Sequence, residues 1–364
     1  MLHARRDAGV DVGRTLGRLV GLALALLLVA MATLAAPAAA VGRGRPASSA
    51  TEPDLDRKVQ ALAVANGAVV GLRSVALSEA RSIETLGRER QGSGVVIDAE
   101  GLVLTIGYLV LEADEVDLVL ADERLVPARV VAYDQASGFG LVQALMPLKL
   151  PPARFGHSGR LSSDEPLLIA SGGEDAAVSL AHMVSRRAFS GFWEYYIEGA
   201  LFTVPPRADH SGAALFNGDG ELLGIGSLIV GDALGPGRPR LAGNMFVPID
   251  LLKPILSELR EHGRSRQSRR PWLGVNCVEQ AGQVRVLRVT RDSPAEAAGL
   301  QPGDHIARID GTRVSALKSF YQVLWLGSSP ERDVTLKIRR GAESKTVKLR
   351  SQDRMRTLRQ SQGV

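Results

Sequence analysis

The imidazoles and thiols that most often carry acid–base and nucleophilic chemistry are scarce in this chain. Six histidines (His3, His157, His182, His210, His262 and His305) and one cysteine, Cys277, are spread over 364 residues. One cysteine forms neither an internal disulfide nor a four-cysteine zinc site, and no spacing of His, Asp or Glu suggests a metal site. No cofactor is expected. Acyl transfer by a serine needs an imidazole to take its proton, a carboxylate to hold that imidazole, and backbone N–H donors for the oxyanion. His210 directly precedes Ser211, so their side chains leave a tight turn in different directions and a productive contact is not expected.

The elements that would position such groups read as mainly β. From Ala61 to about Met245 short Val, Leu and Ile-rich runs are broken by Gly, Asp and Pro signals, which is the spacing of an all-β sandwich or barrel. Ser93 to Asp98 turns through Ala99-Glu100-Gly101 into Leu102 to Thr105; Val116 to Leu120 faces Leu125 to Val131; Asn217-Gly218-Asp219-Gly220 joins Ala213 to Phe216 with Glu221 to Ile225. Strands joined by turns this short pair antiparallel. Asp250 is placed to cap a helix with Leu251, Leu252, Ile255, Leu256 and Leu259 on one face, ending at Gly263. Arg264 to Arg270 carries four arginines without an apolar anchor and reads as a solvated hinge. A smaller α+β unit follows, from Trp272 to about Leu349, with helical patterns opening at Ser293 and Leu317.

The amino terminus reads as an export signal. Leu19 to Val41 is uncharged, follows four arginines (Arg5, Arg6, Arg14 and Arg18), and ends near Ala38-Ala39-Ala40. Two fates stay open: cleavage, or retention as an inner-membrane anchor over residues 19–41. Contact with a membrane is expected only in the second. The net charge of +5 includes those arginines, so the excess left on the working part is too small to imply nucleic-acid binding. The expected divisions are 1–40 signal peptide or anchor, 41–54 linker, 55–262 barrel domain, 263–270 basic hinge, 271–350 second domain and 351–364 carboxyl-terminal tail.

Several stretches together resemble the HtrA/Deg family of exported serine proteases. They are Gly92-Ser93-Gly94-Val95-Val96-Ile97-Asp98, Ala132-Tyr133-Asp134 and Asp219-Gly220-Glu221-Leu222-Leu223-Gly224-Ile225 in the first part. In the second part they are Trp272-Leu273-Gly274-Val275, Ala298-Gly299-Leu300-Gln301-Pro302-Gly303-Asp304 and Ile309-Asp310-Gly311. The resemblance covers roughly residues 55 to 350. It implies a chymotrypsin-like double β-barrel followed by a PDZ domain, and localisation in the periplasm.

Matched position by position, the resemblance places the family's nucleophile at Ser211. Tyr108 stands at the position of the histidine, Gly138 at that of the aspartate, and Asp209 at that of the glycine giving an oxyanion N–H. A phenol is almost wholly protonated at neutral pH, and a carboxylate beside the oxyanion site should repel developing negative charge. These departures lead to the expectation of a non-enzyme, a pseudoprotease acting as scaffold or regulator in envelope protein quality control. Two alternatives stay open: an active endopeptidase using Ser211 with a relocated base, His157 or His182, and a non-catalytic subunit of mixed oligomers with active relatives. The PDZ resemblance implies capture of unfolded proteins or peptide carboxyl termini. Trp272, Leu273, Gly274 and Val275 would form the carboxylate turn, Val275, Asn276, Cys277 and Val278 the receiving strand, and Leu317 to Leu324 the facing helix. A homo-oligomer is a further possibility that the resemblance raises.

Overall fold

The computed structural model describes residues 52–327 and 329–359. The signal or anchor expected within residues 1–41 lies outside the described residues, and no helix among the described residues is long and apolar enough to cross a membrane. Helix α1 spans Glu52–Gly67, so the last residues of the expected linker already belong to an element.

Six strands form a closed barrel in the order β1-β2-β3-β6-β5-β4. They are β1 (Val69–Ala76), β2 (Glu89–Val96), β3 (Leu102–Ile106), β4 (Ala113–Val119), β5 (Leu125–Tyr133) and β6 (Phe139–Ala144). The β2–β3 hairpin pairs Val95 with Leu104 and Val96 with Val103, and β4–β5 pairs Val116 with Ala128. Closure explains why all five residues of β3 are buried: each pleat face meets either the barrel interior or a packed neighbour. The short helix α2, Ile83–Leu86, lies between β1 and β2.

A second sheet runs β11-β8-β9-β10-β13-β12-β7, with β11 also pairing β12 and so curling the sheet on itself. Its strands are β7 (Arg154–Phe155), β8 (Pro166–Ser171), β9 (Ala177–Gly191), β10 (Tyr195–Val204), β11 (Ala214–Phe216), β12 (Glu221–Val230) and β13 (Gly243–Pro248). Helix α3, Leu256–His262, ends at Gly263 in the left-handed conformation. The helix is shorter than the apolar pattern suggested, because Asp250 caps nothing. Its carboxylate accepts the Gly159 N–H at 2.7 Å and pairs with Lys253 at 2.6 Å.

The third unit opens with β14 (Pro271–Trp272) and carries a sheet β15-β16-β17-β19-β20, with β18 on β17. These are β15 (Val275–Gln280), β16 (Gln283–Val289), β17 (His305–Ile309), β18 (Thr312–Arg313), β19 (Asp333–Arg340) and β20 (Glu343–Arg350). Helices α4 (Pro294–Ala297) and α5 (Leu317–Leu324) complete it. In α4 the Ser293 hydroxyl accepts the Glu296 N–H at 3.2 Å, satisfying one end donor. The hinge is not wholly solvated: the Arg270 guanidinium lies 4.2 Å over the Trp325 ring, and Arg269 meets Asp353 at 3.5 Å. Residues past Arg350 also carry structure, since β21 (Gln352–Asp353) pairs antiparallel with β14.

Candidate functional site

Ser211 sits on the loop between β10 and β11, clamped by both barrels. From the first barrel, the Ser93 N–H donates to the Ser211 carbonyl at 2.8 Å. From the second, the Gly212 N–H donates to the Gly226 carbonyl at 2.9 Å. Gly212 holds φ +75, and a Cβ there would lie 2.0 Å from the Ser93 carbonyl oxygen. The turn is therefore open to glycine alone. A cavity of about 210 Å³ opens over this loop, lined by Arg73, Gly92, Ser93, Gly172 and Asp209 among others.

Tyr108 follows β3 in a short turn, and its hydroxyl lies 2.9 Å from Ser211 Oγ and 2.9 Å from the Ser227 carbonyl. A phenol has one proton. The carbonyl can only accept, so satisfying both contacts requires Tyr108 to donate to Ser227 and Ser211 to donate to the Tyr108 oxygen. Burial pushes the Tyr108 phenol up to about 12, with the Ser211 hydrogen bond opposing part of that rise. The serine hydroxyl thus points its proton at a phenol oxygen.

Gly138 holds φ +80, its carbonyl accepts the Gly107 N–H at 2.6 Å, and an added Cβ would meet Tyr195 Oη at 2.7 Å. Tyr195 donates to the Ser137 carbonyl at 2.7 Å. The space next to Gly138 is therefore filled by a buried phenol. Asp134 turns away: its carboxylate accepts the Ser137 N–H at 2.8 Å and the Ser137 hydroxyl at 2.5 Å, as a turn former does.

Asp209 is not the bare repulsive charge that its place suggested. Its carboxylate accepts from Arg207 Nε at 2.9 Å, bonds the second Arg207 nitrogen and the Ser171 hydroxyl, and is thereby neutralised. Burial works to raise this carboxyl, but the bonds to Arg207 and Ser171 and the Arg207 charge outweigh it and hold the group below the usual range. Arg207 and Ser171 were not legible as site residues, since 36 positions separate them in the chain.

Among the described residues, neither candidate for a relocated base contacts Ser211. His157 lies against Lys253 at 3.3 Å and Asp250 at 4.0 Å, and His182 is exposed on β9, opposite Pro166 and Val204. His210 turns back to the Ala208 carbonyl at 3.0 Å, with burial lowering its imidazole below the ordinary value.

In the third unit the N–H groups of Leu273, Gly274 and Val275 converge on a carboxylate, that of Glu194. Glu194 was not singled out from the sequence. Trp272, Leu273, Val275, Cys277, Leu317 and Leu324 bury their side chains, whereas Asn276 is half-buried. Burial drives the Cys277 thiol well above its ordinary value, with the Glu194 charge adding to the rise.

Residues 92–225 match the family model of the trypsin-like peptidase domain, and residues 271–350 that of the PDZ domain. The chain is 30% identical over 269 residues to a "Probable periplasmic serine endoprotease DegP-like" of Hahella chejuensis, covering 69% of this chain and 55% of that protein. It is 30% identical over 266 residues to the "Putative serine protease HhoA" of a Synechocystis species, covering 65% of each. The chain spans about half the length of several curated relatives it matches. Among solved structures, an HtrA-type protease AlgW with a decapeptide aligns at 23% identity and TM-score 0.51, covering 83% of this chain and 99% of that one. This likeness shows the fold. The relatives' names correct the expectation of a non-enzyme: they are serine proteases and endoproteases, and the likeness points to a protease.

Proposed function

We propose a function from one premise: the chain belongs to the HtrA/Deg family of serine proteases, with a trypsin-like domain and a PDZ domain. Its place is outside the cytoplasm, in the periplasm where its relatives are named, with residues 1–40 as the export segment. Its substrates are unfolded or partly unfolded polypeptides handled in envelope quality control. The trypsin-like unit over residues 55–262 accepts an extended segment across the cleft, and the PDZ unit over residues 271–350 accepts carboxyl termini.

The observation that carries the reading is the cleft between the barrels, with the Ser211 loop held by the Ser93 N–H on the Ser211 carbonyl from one side and by the Gly212 N–H on the Gly226 carbonyl from the other. Ser211 is the nucleophile, and it works without imidazole help. At pH 7.5 a phenol of pKa about 12 is ionised to roughly 1 part in 3 × 10⁴, so general-base assistance is small and cleavage is slow. Removing a complete triad costs on the order of 10⁶ in turnover, which sets the scale below an imidazole-bearing relative.

The test is prolonged incubation of the mature protein with unfolded casein beside Ser211→Ala. Slow cleavage that disappears with Ser211→Ala is expected. Equal background from both proteins would remove hydrolysis from the function.

A further inference from the structure

The loop between β9 and β10 leaves the second barrel and enters the groove of the third unit. Glu194 at its tip is only 3% exposed. Its Oε1 accepts the Gly274 N–H at 2.7 Å and the Val275 N–H at 2.9 Å, and its Oε2 lies 3.1 Å from the Leu273 nitrogen. Behind it, the Phe192 carbonyl accepts the Cys277 N–H of β15 at 2.8 Å, as a rung of added strand would. On the opposite wall the Tyr321 hydroxyl of α5 donates to the Gly191 carbonyl at 2.5 Å and accepts the Glu194 N–H at 3.2 Å. The hairpin tip thus contacts strand, helix and carboxylate turn at once, the same three elements that hold a peptide added as a strand with its terminal carboxylate in a nest of N–H groups.

The backbone supplies a separate argument. Phe192, Trp193 and Glu194 form a three-residue hairpin loop, and Glu194 holds φ 57. The last position of such a loop favours glycine, because a Cβ in the left-handed region costs about 1 to 2 kcal/mol. Local conformational preference opposes a glutamate here, while its carboxylate contacts account for one.

We propose that residues 191–194 are an internal ligand of the PDZ groove, the Glu194 side chain standing in for a peptide's terminal carboxylate, and that an apolar carboxyl-terminal peptide enters by displacing this hairpin tip. The inference rests on the reading that the groove takes peptides.

The experiment uses the full mature chain, its Glu194→Ala variant, and Glu194→Gln, which keeps the side-chain size. Two readouts separate the inference from the reading beneath it. Amide hydrogen exchange without peptide tests internal docking: Gly274, Val275 and Cys277 should exchange at least 10-fold faster in Glu194→Ala, with a smaller rise in Glu194→Gln. Unchanged exchange at these amides in both variants would overturn the inference. Binding of a fluorescent decapeptide ending in three apolar residues and a free carboxylate tests displacement. Glu194→Ala should bind at least 10-fold more tightly than the wild type, and the amidated peptide should bind neither. Equal affinity for both proteins would also overturn the inference while leaving peptide capture standing. Faster exchange with no binding by any of the three proteins would keep the internal docking and remove the peptide reading.

Discussion

Substituting Gly212 by alanine tests how the Ser211 loop is held. The residue sits at φ +75, where a Cβ costs about 1 to 2 kcal/mol. The added methyl would lie 2.0 Å from the Ser93 carbonyl oxygen and 2.8 Å from Thr105 Oγ1. Both obstacles are fixed: Ser93 is backbone, and Thr105 is buried and donates to that same carbonyl at 2.7 Å. Relieving the clash moves Ser93 and loosens the Thr105–Ser93 and Ser93–Ser211 bonds, each worth about 1 kcal/mol net. The combined loss is about 3 to 4 kcal/mol. Urea unfolding of Gly212→Ala reads it directly. Gly218→Ala is the control, since nothing lies within 4 Å of a Cβ there, and it should fall within about 1 kcal/mol of the wild type. A Gly212→Ala variant as stable as that control would refute the claim that the two barrels clamp this loop through glycine.

Gly138→Asp, which would place a carboxylate at the family's aspartate position, should destabilise by about 2 to 3 kcal/mol, because φ is +80 and Tyr195 Oη lies 2.7 Å from the new Cβ. Adding Tyr195→Phe removes the nearest atom, so urea unfolding of the double variant should show a loss smaller than the two single losses together by about 1 kcal/mol; simple additivity would count against the contact. Peptide binding should depend on pH through Glu194. Burial pushes this carboxyl up to about 7 from 4.5, with the N–H groups of Val275, Leu273 and Gly274 and the Arg354 charge opposing. The Tyr321 hydroxyl and the Cys277 thiol are the other titratable groups facing it. A raised carboxyl favours docking while protonated, so the docking advantage is complete below about pH 4.5 and is lost as pH rises through about 7. Peptide affinity should therefore increase between pH 5 and 8, by up to on the order of 10²-fold, and stay flat in Glu194→Gln. A flat wild-type profile would contradict the assignment.

Much of the fold was legible because its signals are local. The turn residues between β2 and β3 and between β11 and β12 sit within a few positions of the strands they join. The alternation of buried and exposed residues along β19 marks one face against a core. Asp250 misled because its capping signal is local while its real partners, Gly159 and Lys253, come from packing. The site divided the same way. Ser211 and Tyr108 could be placed by matching segments, but their contact spans 103 positions, and the pairing of Asp209 with Ser171 and Arg207 depends on how strands fold together. Glu194 was hidden because its meaning lies 79 to 81 residues away, in the N–H groups of Leu273 to Val275. Its one local sign was a glutamate where a hairpin loop favours glycine.

The most direct measurement of the central claim is mass-spectrometric mapping of a fluorophosphonate adduct on the mature protein. The account predicts slow formation of one adduct, on Ser211, absent from Ser211→Ala. An adduct at a different serine, or none after prolonged exposure, would contradict Ser211 as the nucleophile.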